Sequence, residues 1–519
     1  MSEKSQDKIT KSSEEDLVIN NITERSKARD KTTERREVVL LEERLHRLNE
    51  LVEKGIDPFG HRFVSSASIK ELHEKYKDIG IDEKAKETIS IAGRIRSIRK
   101  HGKIIFCHIE DFSERIQLAI EKNTVGGRFD LFELLNTGDF IASHGHATKT
   151  KKGELTLWID SFELLSKSLR PLPDEWFGLK DIESRYRQRY ADMIMNKEVR
   201  EIFIMRSRII TTIREFLNNK GFIEIETPTL QPIYGGALAE PFTTMHNELK
   251  KTMYLRVSPE LYLKRAIVGG FEKVYEIGKS FRNEGIDTKH NPEFTMLEWY
   301  WAYADYNDNM KLNEELIEFL AKKILGKTEI EYQGIEIDLK GPFEKLSIYE
   351  AIKKYLKIDA RNKELDELVK IAKEHGIEVP DYAGKGYIIE KLFGLVEPKI
   401  IQPTFITDHP TEMSPLAKAK KHQPELTERF ELIINSQEYA NAYSEENNPI
   451  EQKKKFEDQQ RMRQHGDKES HPMDQDFIRA LEYGMPPTPG FGLGIDRLVM
   501  LFTNSASIRD VIMFPALRE

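Results

Sequence analysis

Five short segments between Thr88 and Leu165 alternate apolar and polar residues, and this alternation restricts the fold more than any other feature of the chain. A period of two is typical of strands with one buried face, and glycines or charged residues separate the segments as turns. The segments are TISIAGRIRSI, KIIFCHIED, RIQLAIE, DFIASHGHAT and ELTLWIDSFEL. Five strands within fewer than 80 residues favour a small closed barrel.

The barrel region carries a modest excess of basic residues. Residues 91–190 contain 17 Lys and Arg and 14 Asp and Glu, a charge of +3 in a chain whose net charge is −8. The commonest five-stranded barrel is the OB-fold. With basic and aromatic residues on one face it suits single-stranded nucleic acid, because bases stack on rings while Lys and Arg follow the phosphates. An ordinary solvated surface is the alternative.

The chain of 519 residues is long enough for two or three domains with cores of their own. No apolar run approaches the roughly 18 residues that cross a bilayer, and the first 30 residues lack the apolar core of a secretory signal. The single cysteine, Cys107, excludes an intramolecular disulfide and a zinc site built on thiolates. We therefore expect a cytoplasmic protein without a membrane span, which would hold RNA only through a local basic surface.

Composition and periodicity divide the chain into four regions. Residues 1–36 are charged and lack aromatic rings, which predicts a flexible extension. Residues 37–167 hold amphipathic helices and then the barrel, and the proline-containing residues 168–196 form a linker. Residues 197–519 alternate long helices with strand-like segments, and residues 307–400 look like a mostly helical insertion. These regions predict an α+β protein of several domains.

The segment SFRNEGIDTKHNPEFTMLEWY, residues 280–300, concentrates acids, bases and aromatic rings. Its pattern predicts two antiparallel strands joined by a loop at residues 286–291. Side chains two apart on a strand share a face, which brings Phe294, Glu298 and Tyr300 together. An arginine fork, a ring and a carboxylate in one place suit a nucleotide, although an exposed ladder of ion pairs would use the same residues.

Two later blocks carry the same kind of chemistry. RFELIINSQEYANAYSEENNP, residues 429–449, spaces Glu431, Glu438 and Glu445 seven apart, which fits a helix or a strand, loop and strand. Carboxylates that converge with phosphate would bind Mg²⁺, and a solvated acidic helix face is the alternative. PPTPGFGLGIDRLVMLF, residues 486–502, predicts a glycine-rich loop that a ligand can approach closely, followed by an apolar helix. It lacks the spacing of a dinucleotide fingerprint or a Walker loop.

In this order the blocks resemble the three motifs of the class II aminoacyl-tRNA synthetases. KGFIEIETPTL resembles motif 1, FRNEG with HNPEF resembles motif 2, and GFGLGIDRL resembles motif 3. Longer stretches, including SPELYLKRAIVGGFEKVYEIG and ALEYGMPPTPGFGLGIDRLVML, resemble the lysine-specific, bacterial-type branch from about residue 38 to the C-terminus. The resemblance implies an OB-fold β-barrel that binds the anticodon, a catalytic domain with an antiparallel sheet flanked by helices, and a homodimer.

The resemblance also implies an activity and its residues. The activity is that of a ligase, which activates L-lysine with ATP to lysyl-adenylate and pyrophosphate and then transfers lysine to the 3′ end of tRNA(Lys). Catalytic roles fall on Arg282 and Arg497, and Mg²⁺ ligation on Glu431 and Glu438. The residues implied to bind ATP are Arg282, Glu284, His290, Asn291, Phe294, Glu431, Gly494 and Arg497. The residues implied to contact the anticodon are Arg94, Phe106 and Gln117.

Lysine carries two ammonium groups, so the implied amino-acid pocket is acidic. Glu260 and the Gly236 backbone are expected at the α-ammonium, and Glu298 and Glu445 at the ε-ammonium. A buried ammonium without such partners would cost several kcal/mol. A neutral amino acid is rejected for the corresponding reason, because it would leave the buried acids without a positive partner. The full set implied to bind lysine is Gly236, Glu260, Arg282, Glu298, Tyr300, Asn441 and Glu445.

Three positions depart from the family's pattern: Glu240 stands where a basic residue is usual, Glu446 adds an acid beside Glu445, and Pro489 interrupts the glycine block. Three other functions are weighed. An aspartyl- or asparaginyl-tRNA synthetase would need Lys or Arg where this chain has Glu298 and Glu445. A paralogue that lysylates an elongation factor would lack the barrel. A non-catalytic RNA-binding protein would have no need of the intact motif residues.

Overall fold

The computed structural model describes residues 31–173, 181–380, 383–464 and 471–518. The chain separates into two compact units, Met1–Gly178 and Leu179–Glu519, and the division falls within the predicted linker. Most of the predicted flexible extension lies outside the described residues. Its last six residues belong to the first helix, which begins at Lys31.

A closed five-stranded barrel forms the centre of the first unit, as the alternating segments and the OB-fold expectation predicted. The strand order is β1-β2-β3-β5-β4, and the parallel pair β3–β5 closes the ring of otherwise antiparallel neighbours. The strands are β1 Ile89–His101, β2 Ile104–Glu110, β3 Arg115–Glu121, β4 Phe140–Lys149 and β5 Leu155–Ser166. The helices of this unit are α1 Lys31–Glu53, α2 Ile69–Lys75, α3 Lys122–Val125 and α4 Arg128–Phe132.

Alternation decides which side chains fill the barrel. Along β2 the buried residues Ile105, Cys107 and Ile109 point inward, and the residues between them are only partly buried. A fully buried ion pair between Lys167 Nζ and Asp139 Oδ2, 2.8 Å apart, holds the end of β5 to the turn before β4.

An eight-stranded sheet forms the centre of the second unit, in the order β14-β15-β18-β19-β20-β11-β10-β6. The six central strands pair antiparallel, as predicted. The sheet as a whole is mixed, because the pairs at its two ends, β14 with β15 and β10 with β6, are parallel. The strands of this unit are β6 Ile223–Glu224, β7 Leu230–Gln231, β8 Thr243–His246, β9 Lys251–Leu255, β10 Lys273–Phe281, β11 Glu293–Trp301, β12 Glu329–Tyr332, β13 Ile335–Asp338, β14 Glu344–Ser347, β15 Thr404–Thr407, β16 Ala419–Lys420, β17 Gln423–Thr427, β18 Arg429–Ile434, β19 Gln437–Ser444 and β20 Pro489–Gly494.

Helices cover one face of this sheet with a continuous apolar core. Ile213, Leu316 and Val499, from three different helices, are fully buried in that core, and the rings of Trp299 and Phe491 stack at 3.7 Å on neighbouring strands. The α-helices of the unit are α5 Ile182–Arg187, α6 Arg189–Met195, α7 Lys197–Asn219, α8 Glu260–Val268, α9 Tyr306–Leu320, α10 Ile348–Leu356, α11 Leu365–Glu374, α12 Lys385–Gly394, α13 Pro449–Gln464, α14 Gln475–Glu482, α15 Ile495–Thr503 and α16 Ile508–Val511.

The predicted helical insertion is only partly helical. Helix α9 packs in the main core, and β14 extends the main sheet, so neither belongs to a separate insertion. Strands β12 and β13 form a hairpin in the same region. A separate apolar cluster with Ile352, Ile388 and Leu392 begins at α10, so the insertion starts near residue 348. None of the described helices is long and apolar enough to span a bilayer.

The close approach of β4 to β5 makes a prediction for Gly145. A Cβ at this position would lie 2.1 Å from the carbonyl oxygen of Trp158, which backbone pairing holds in place. We expect Gly145→Ala to destabilise the barrel by about 1–3 kcal/mol, because the strands must separate. Hydrogen exchange should then be faster in β4 and β5. Gly127→Ala is the matched control, because φ is −60° there and no atom lies within 4 Å. Equal exchange in both variants would contradict the prediction.

Candidate active site

A cavity of about 380 Å³ opens on the face of the large sheet that the core helices leave uncovered. All fifteen residues to which the family resemblance gave a role with ATP, lysine or Mg²⁺ line this one cavity. They come from the β10–β11 hairpin, from β18, β19 and the residue after β19, from β20 with α15, from the start of α8, and, for Gly236, from the segment between β7 and β8. The three sequence blocks therefore meet in space, although 185 residues lie between the end of the first and the start of the last.

The glycine block forms the floor of the cavity as a strand, not as the predicted loop. Gly490 pairs opposite Tyr300 and Gly492 opposite Glu298, so alternate glycines share the face that carries these side chains. A Cβ on Gly490 would lie 2.0 Å from Glu445 Oε1 and 2.5 Å from a ring carbon of Tyr300. Glycine at this position leaves the space that the two side chains occupy.

One end of the cavity has the arginine and the aromatic ring that the hairpin pattern predicted. The hairpin itself has the predicted antiparallel form. The Arg282 guanidinium lies 5.1 Å from the ring centre of Phe294. Its Nε is buried without a hydrogen-bond partner. Glu284 lies in the exposed loop that follows β10. A buried donor left free in this way is suited to an anionic ligand.

The hairpin loop is connected to the helix after the glycine strand. Asp287 accepts hydrogen bonds from Nδ1 and from the backbone N–H of His290, and His290 Nε2 lies 3.3 Å from Arg497 Nη2. Asn291 also lines the cavity, and its side-chain amide donates to Glu293 O and accepts from the Ala516 N–H. The amide of Asn291 therefore holds the loop, and His290 and Arg497 remain facing the cavity.

Two acids lie at the middle of the cavity. Glu431 is on β18 and Glu438 on β19, so the strand, loop and strand interpretation of this block is right. Arg429 donates to Glu431 Oε1 at 2.6 Å and to Asn441 Oδ1 at 3.1 Å. Burial raises the pKa of Glu438, and repulsion from Glu431 adds to that rise. A cation between the two carboxylates would relieve this repulsion.

These two carboxylates fit a magnesium ion that is shared with a phosphate ligand. Among the residues that the structure describes, no group of three or more acids, histidines or cysteines could enclose a metal. Mg²⁺ is usually held by one or two carboxylates together with phosphate oxygens, and seldom by a full protein cage. The donor set of Glu431 and Glu438 matches that pattern.

Three glutamates meet at the closed end of the cavity. Glu260, Glu298 and Glu445 have exposed fractions of 4%, 5% and 1%. Glu298 accepts hydrogen bonds from the hydroxyls of Ser258 at 2.8 Å and Tyr300 at 3.2 Å. Glu445 directs Oε1 toward the Gly490 floor, where this oxygen has no hydrogen-bond partner, while its Oε2 forms an ion pair with Lys264.

Two of these buried acids, Glu298 and Glu445, hold their protons more tightly than exposed carboxyls do. Burial raises the pKa of Glu298 to about 8, and the charge of Glu260 adds to the rise, while the hydroxyls of Ser258 and Tyr300 oppose it. Burial also raises the pKa of Glu445, and Lys264 is the main group that opposes this rise. Three carboxylates in so little water attract a positively charged ligand.

Four residues of the cavity or its wall were missed by sequence reasoning. Tyr443 donates to Glu260 Oε2 at 2.7 Å, and Lys264 Nζ pairs with both Glu260 and Glu445. Burial lowers the pKa of His471 to about 4, with Lys264 adding to the effect. Arg429 stands two residues before Glu431 on a strand, a spacing that predicts a shared face. The Glu260–Lys264 spacing of four predicts a helical ion pair, but such pairs are usually exposed.

None of the three residues that depart from the family's pattern adds a charge to the lining of the cavity. Glu446 is buried but pairs with Lys455 at 2.8 Å. Pro489 is the first residue of β20, a position where a strand tolerates proline. The carbonyl of Glu240 accepts from the Asn283 N–H at 2.8 Å, so this residue supports the loop after β10 through its backbone.

In the barrel unit, the three residues implied to contact the anticodon share an outer face. Gln117 pairs opposite His108, and Arg94 opposite Glu110. Phe106 lies two residues before His108 and four before Glu110 on β2, so its side chain is on the same face as theirs. Phe106 is therefore outside the barrel core and half-buried. Arg94 donates to Gly138 O and stacks on Phe140, and Gln117 donates to Thr156 Oγ1 at 2.8 Å.

Comparison with known proteins gives two family matches and many relatives. Residues 181–518 match the family described as tRNA synthetases class II (D, K and N), and residues 89–165 match the OB-fold nucleic acid binding domain. The chain is 54% identical to a lysine–tRNA ligase of Carboxydothermus hydrogenoformans over 92% of its own length and 98% of the relative's. Lysine–tRNA ligases of Bacillus cereus and Thermosipho africanus are 51% and 49% identical over 92% of the chain and 96% and 95% of theirs.

The raised pKa of Glu298 predicts a pH dependence of stability. Between its ordinary pKa and about 8, the folded state keeps a proton that the unfolded state has lost. The free energy of unfolding should therefore fall as pH rises through this range, by up to about 1.4 kcal/mol per pH unit from this one group. Urea unfolding of Glu298→Gln should show a shallower fall with pH. Glu293→Gln, on the same strand but 53% exposed at its side chain, should keep the wild-type slope. A slope unchanged by Glu298→Gln would refute the assignment.

Proposed function

The chain belongs to the lysine–tRNA ligases of the class II tRNA synthetase family, and we propose that its cavity binds lysine and ATP side by side and joins them. The family membership makes it a ligase that attaches lysine to tRNA. The proposal concerns the residues that do this, the nucleotide and the metal. The observation that carries it is the set of three buried glutamates at the closed end of a cavity whose other end holds Arg282 and Phe294.

The acidic end is complementary to lysine and unsuited to aspartate or asparagine. A carboxylate or amide side chain would meet Glu298 and Glu445 with no positive partner, whereas an ε-ammonium can bind the free Oε1 of Glu445 near Tyr300. We propose that Glu298 and Glu445 receive the ε-ammonium, and that Glu260 and the Gly236 backbone lie at the α-ammonium. Gly236 has φ of +91°, and a Cβ there would lie 2.8 Å from Ser258 Oγ.

The other end suits the nucleotide. The Phe294 ring offers a stacking surface to adenine and the Arg497 guanidinium faces the same cavity, while Glu284 can accept from the adenine amino group. Arg282 would hold both the lysine carboxylate and the α-phosphate, since a guanidinium can bind two anions at once. His290 and Arg497 then lie where the terminal phosphates would be neutralised, and Gly494 lets the nucleotide approach the backbone.

The first reaction step needs no general base, because the lysine carboxylate is already ionised at neutral pH. One carboxylate oxygen attacks the α-phosphorus, the bond to the β-phosphate breaks, and pyrophosphate leaves with the electron pair. In the second step a hydroxyl of the terminal ribose of tRNA attacks the lysyl carbonyl, and AMP leaves. Arg282 and Arg497 contribute by positioning and by neutralising phosphate charge.

Mg²⁺ held by Glu431 and Glu438 would supply further positive charge to the phosphates. Arg429 keeps Glu431 and Asn441 in place on neighbouring strands. A homodimer formed through the motif 1 segment and a cytoplasmic location remain proposals. They rest on the family resemblance and on a chain whose single cysteine is buried.

Glu445→Gln tests the amino-acid pocket. We expect the lysine KM to rise at least about thirtyfold, which is about 2 kcal/mol, because the ε-ammonium loses its charged partner. The ATP KM should stay within about twofold in pyrophosphate exchange, because Glu445 lies at the other end of the cavity. Glu446→Gln is the matched control: it is adjacent and buried but pairs with Lys455. Equal increases in both KM values for Glu445→Gln would refute the role.

Phe106→Ala tests the barrel face. Stacking on an aromatic ring is worth about 1–3 kcal/mol per base, so the KM for tRNA(Lys) should rise by roughly 5- to 150-fold. Lysine-dependent pyrophosphate exchange should be unchanged, because it does not involve tRNA. Phe59→Ala removes a 53% exposed ring outside the five strands and serves as the control. An unchanged KM for tRNA in Phe106→Ala would exclude this residue from the interface.

A further inference from the structure

Lys264 is a buried cation directly behind the acidic end of the cavity. Its side chain has no exposed surface, and its Nζ pairs with Glu260 Oε1 at 2.5 Å and with Glu445 Oε2. It lies on α8, one helical turn after Glu260. Lys264 does not line the cavity itself and takes no part in the two reaction steps.

Lys264 is surrounded by two acids, two aromatic rings and a histidine. Glu260 faces it from its own helix and Glu445 from the segment after β19. The rings of Tyr443 and Phe477 lie 5.8 and 5.7 Å from Nζ, and the neutral His471 lies nearby. Burial alone would lower the pKa of Lys264, but the two glutamates raise it above its ordinary value, so the ammonium stays charged.

Burial of an ion pair in this manner needs a reason other than stability. Two charges taken out of water lose hydration that their mutual attraction seldom repays in full, and apolar side chains of the same size often stabilise a fold equally well. Two aromatic rings, Tyr443 and Phe477, already form part of the surroundings of Lys264. Removing only one partner leaves an uncompensated buried charge, which is strongly unfavourable.

The count of charges gives that reason. In the complex with lysine, whose ammonium groups favour the ionised form of nearby carboxyls, Glu260, Glu298 and Glu445 contribute −3. Lys264 contributes +1, and Arg282, which would hold the lysine carboxylate, contributes another +1. The amino-acid end of the cavity therefore has a net charge of −1. A lysine molecule, with two ammonium groups and one carboxylate, has a net charge of +1, and the complex is neutral. Without Lys264 the same cavity would have −2 and the complex −1.

We propose that Lys264 is a specificity-determining residue, which sets the net charge of the amino-acid end of the cavity at the value that lysine neutralises. This inference rests on the proposed function. Lys264 never touches the substrate and acts through Glu260 and Glu445, so it is a positioning residue. A neutral amino acid of the same shape leaves the charge of −1 uncompensated in this low-dielectric space, and is rejected for that reason.

A cycle of four proteins tests the charge count: wild type, K264M, E260Q and E260Q/K264M. The single variants leave the lysine complex with a charge of −1 or +1, and the double variant restores zero. We expect each single variant to raise the lysine KM at least about tenfold, and the double variant to have a KM at least about threefold below either single variant. The ATP KM should stay within about twofold throughout, measured by pyrophosphate exchange.

The preference for lysine over norleucine is a second measurement, and damage to packing alone would not change it. Norleucine is lysine without its ε-amino group and has no net charge. In E260Q the cavity is neutral, so the preference for lysine over norleucine should fall at least about tenfold, and K264M added to E260Q should restore it. K167M, which removes the equally buried partner of Asp139 in the barrel unit, should leave both the lysine KM and this preference at wild-type values.

The outcomes separate the possible failures. The inference is wrong, and Lys264 has only a structural role, in either of two cases. In the first, the increase in the lysine KM of the double variant equals the product of the increases in the two single variants. In the second, the ATP KM rises as much as the lysine KM. If K264M does not fold, the comparison of E260Q with E260Q/K264M still decides, because the double variant removes one buried charge of each sign and keeps the net charge of the wild type. If the wild-type protein does not exchange pyrophosphate with lysine, the proposed function fails before the question of Lys264 arises.

Discussion

Burial of three carboxylates in one small space is the constraint on which the rest of the catalytic unit depends. Glu260, Glu298 and Glu445 are almost without exposed surface, and each needs a partner that water would otherwise supply. The structure supplies hydroxyls from Ser258, Tyr300 and Tyr443 and one internal ammonium. Glu445 Oε1 is left over, and that oxygen faces the glycine floor.

The sheet makes this arrangement possible because it places distant segments at fixed spacings. Strands β18, β19, β20, β11 and β10 are neighbours, so Asn441 on β19, Gly492 on β20 and Glu298 on β11 stand in a row across one face. Alternate glycines on the middle strand remove the side chains that would fill the space. The same face continues to Arg282 and Phe294, which explains how one cavity can hold an amino acid and a nucleotide together.

Alternation, which is a local signal, predicted the barrel and the β10–β11 hairpin, and the resemblance to the synthetase family implied the residues of the cavity. The sequence could not predict the parallel strand pairs at the two ends of the sheet, which depend on long-range pairing. The GFGLG segment was taken for a loop, since glycine is rare in strands. Lys264 was missed for a physical reason: a glutamate and a lysine four apart on a helix normally face solvent, and only the tertiary fold buries this pair.

ATP–pyrophosphate exchange with each of the twenty amino acids in turn tests the central claim most directly, because it reports activation without tRNA. The account predicts exchange with lysine, and none above background with aspartate or asparagine, since these would bring a carboxylate or amide to buried glutamates. Exchange that depends on aspartate or asparagine and not on lysine would contradict the assignment of the acidic end of the cavity.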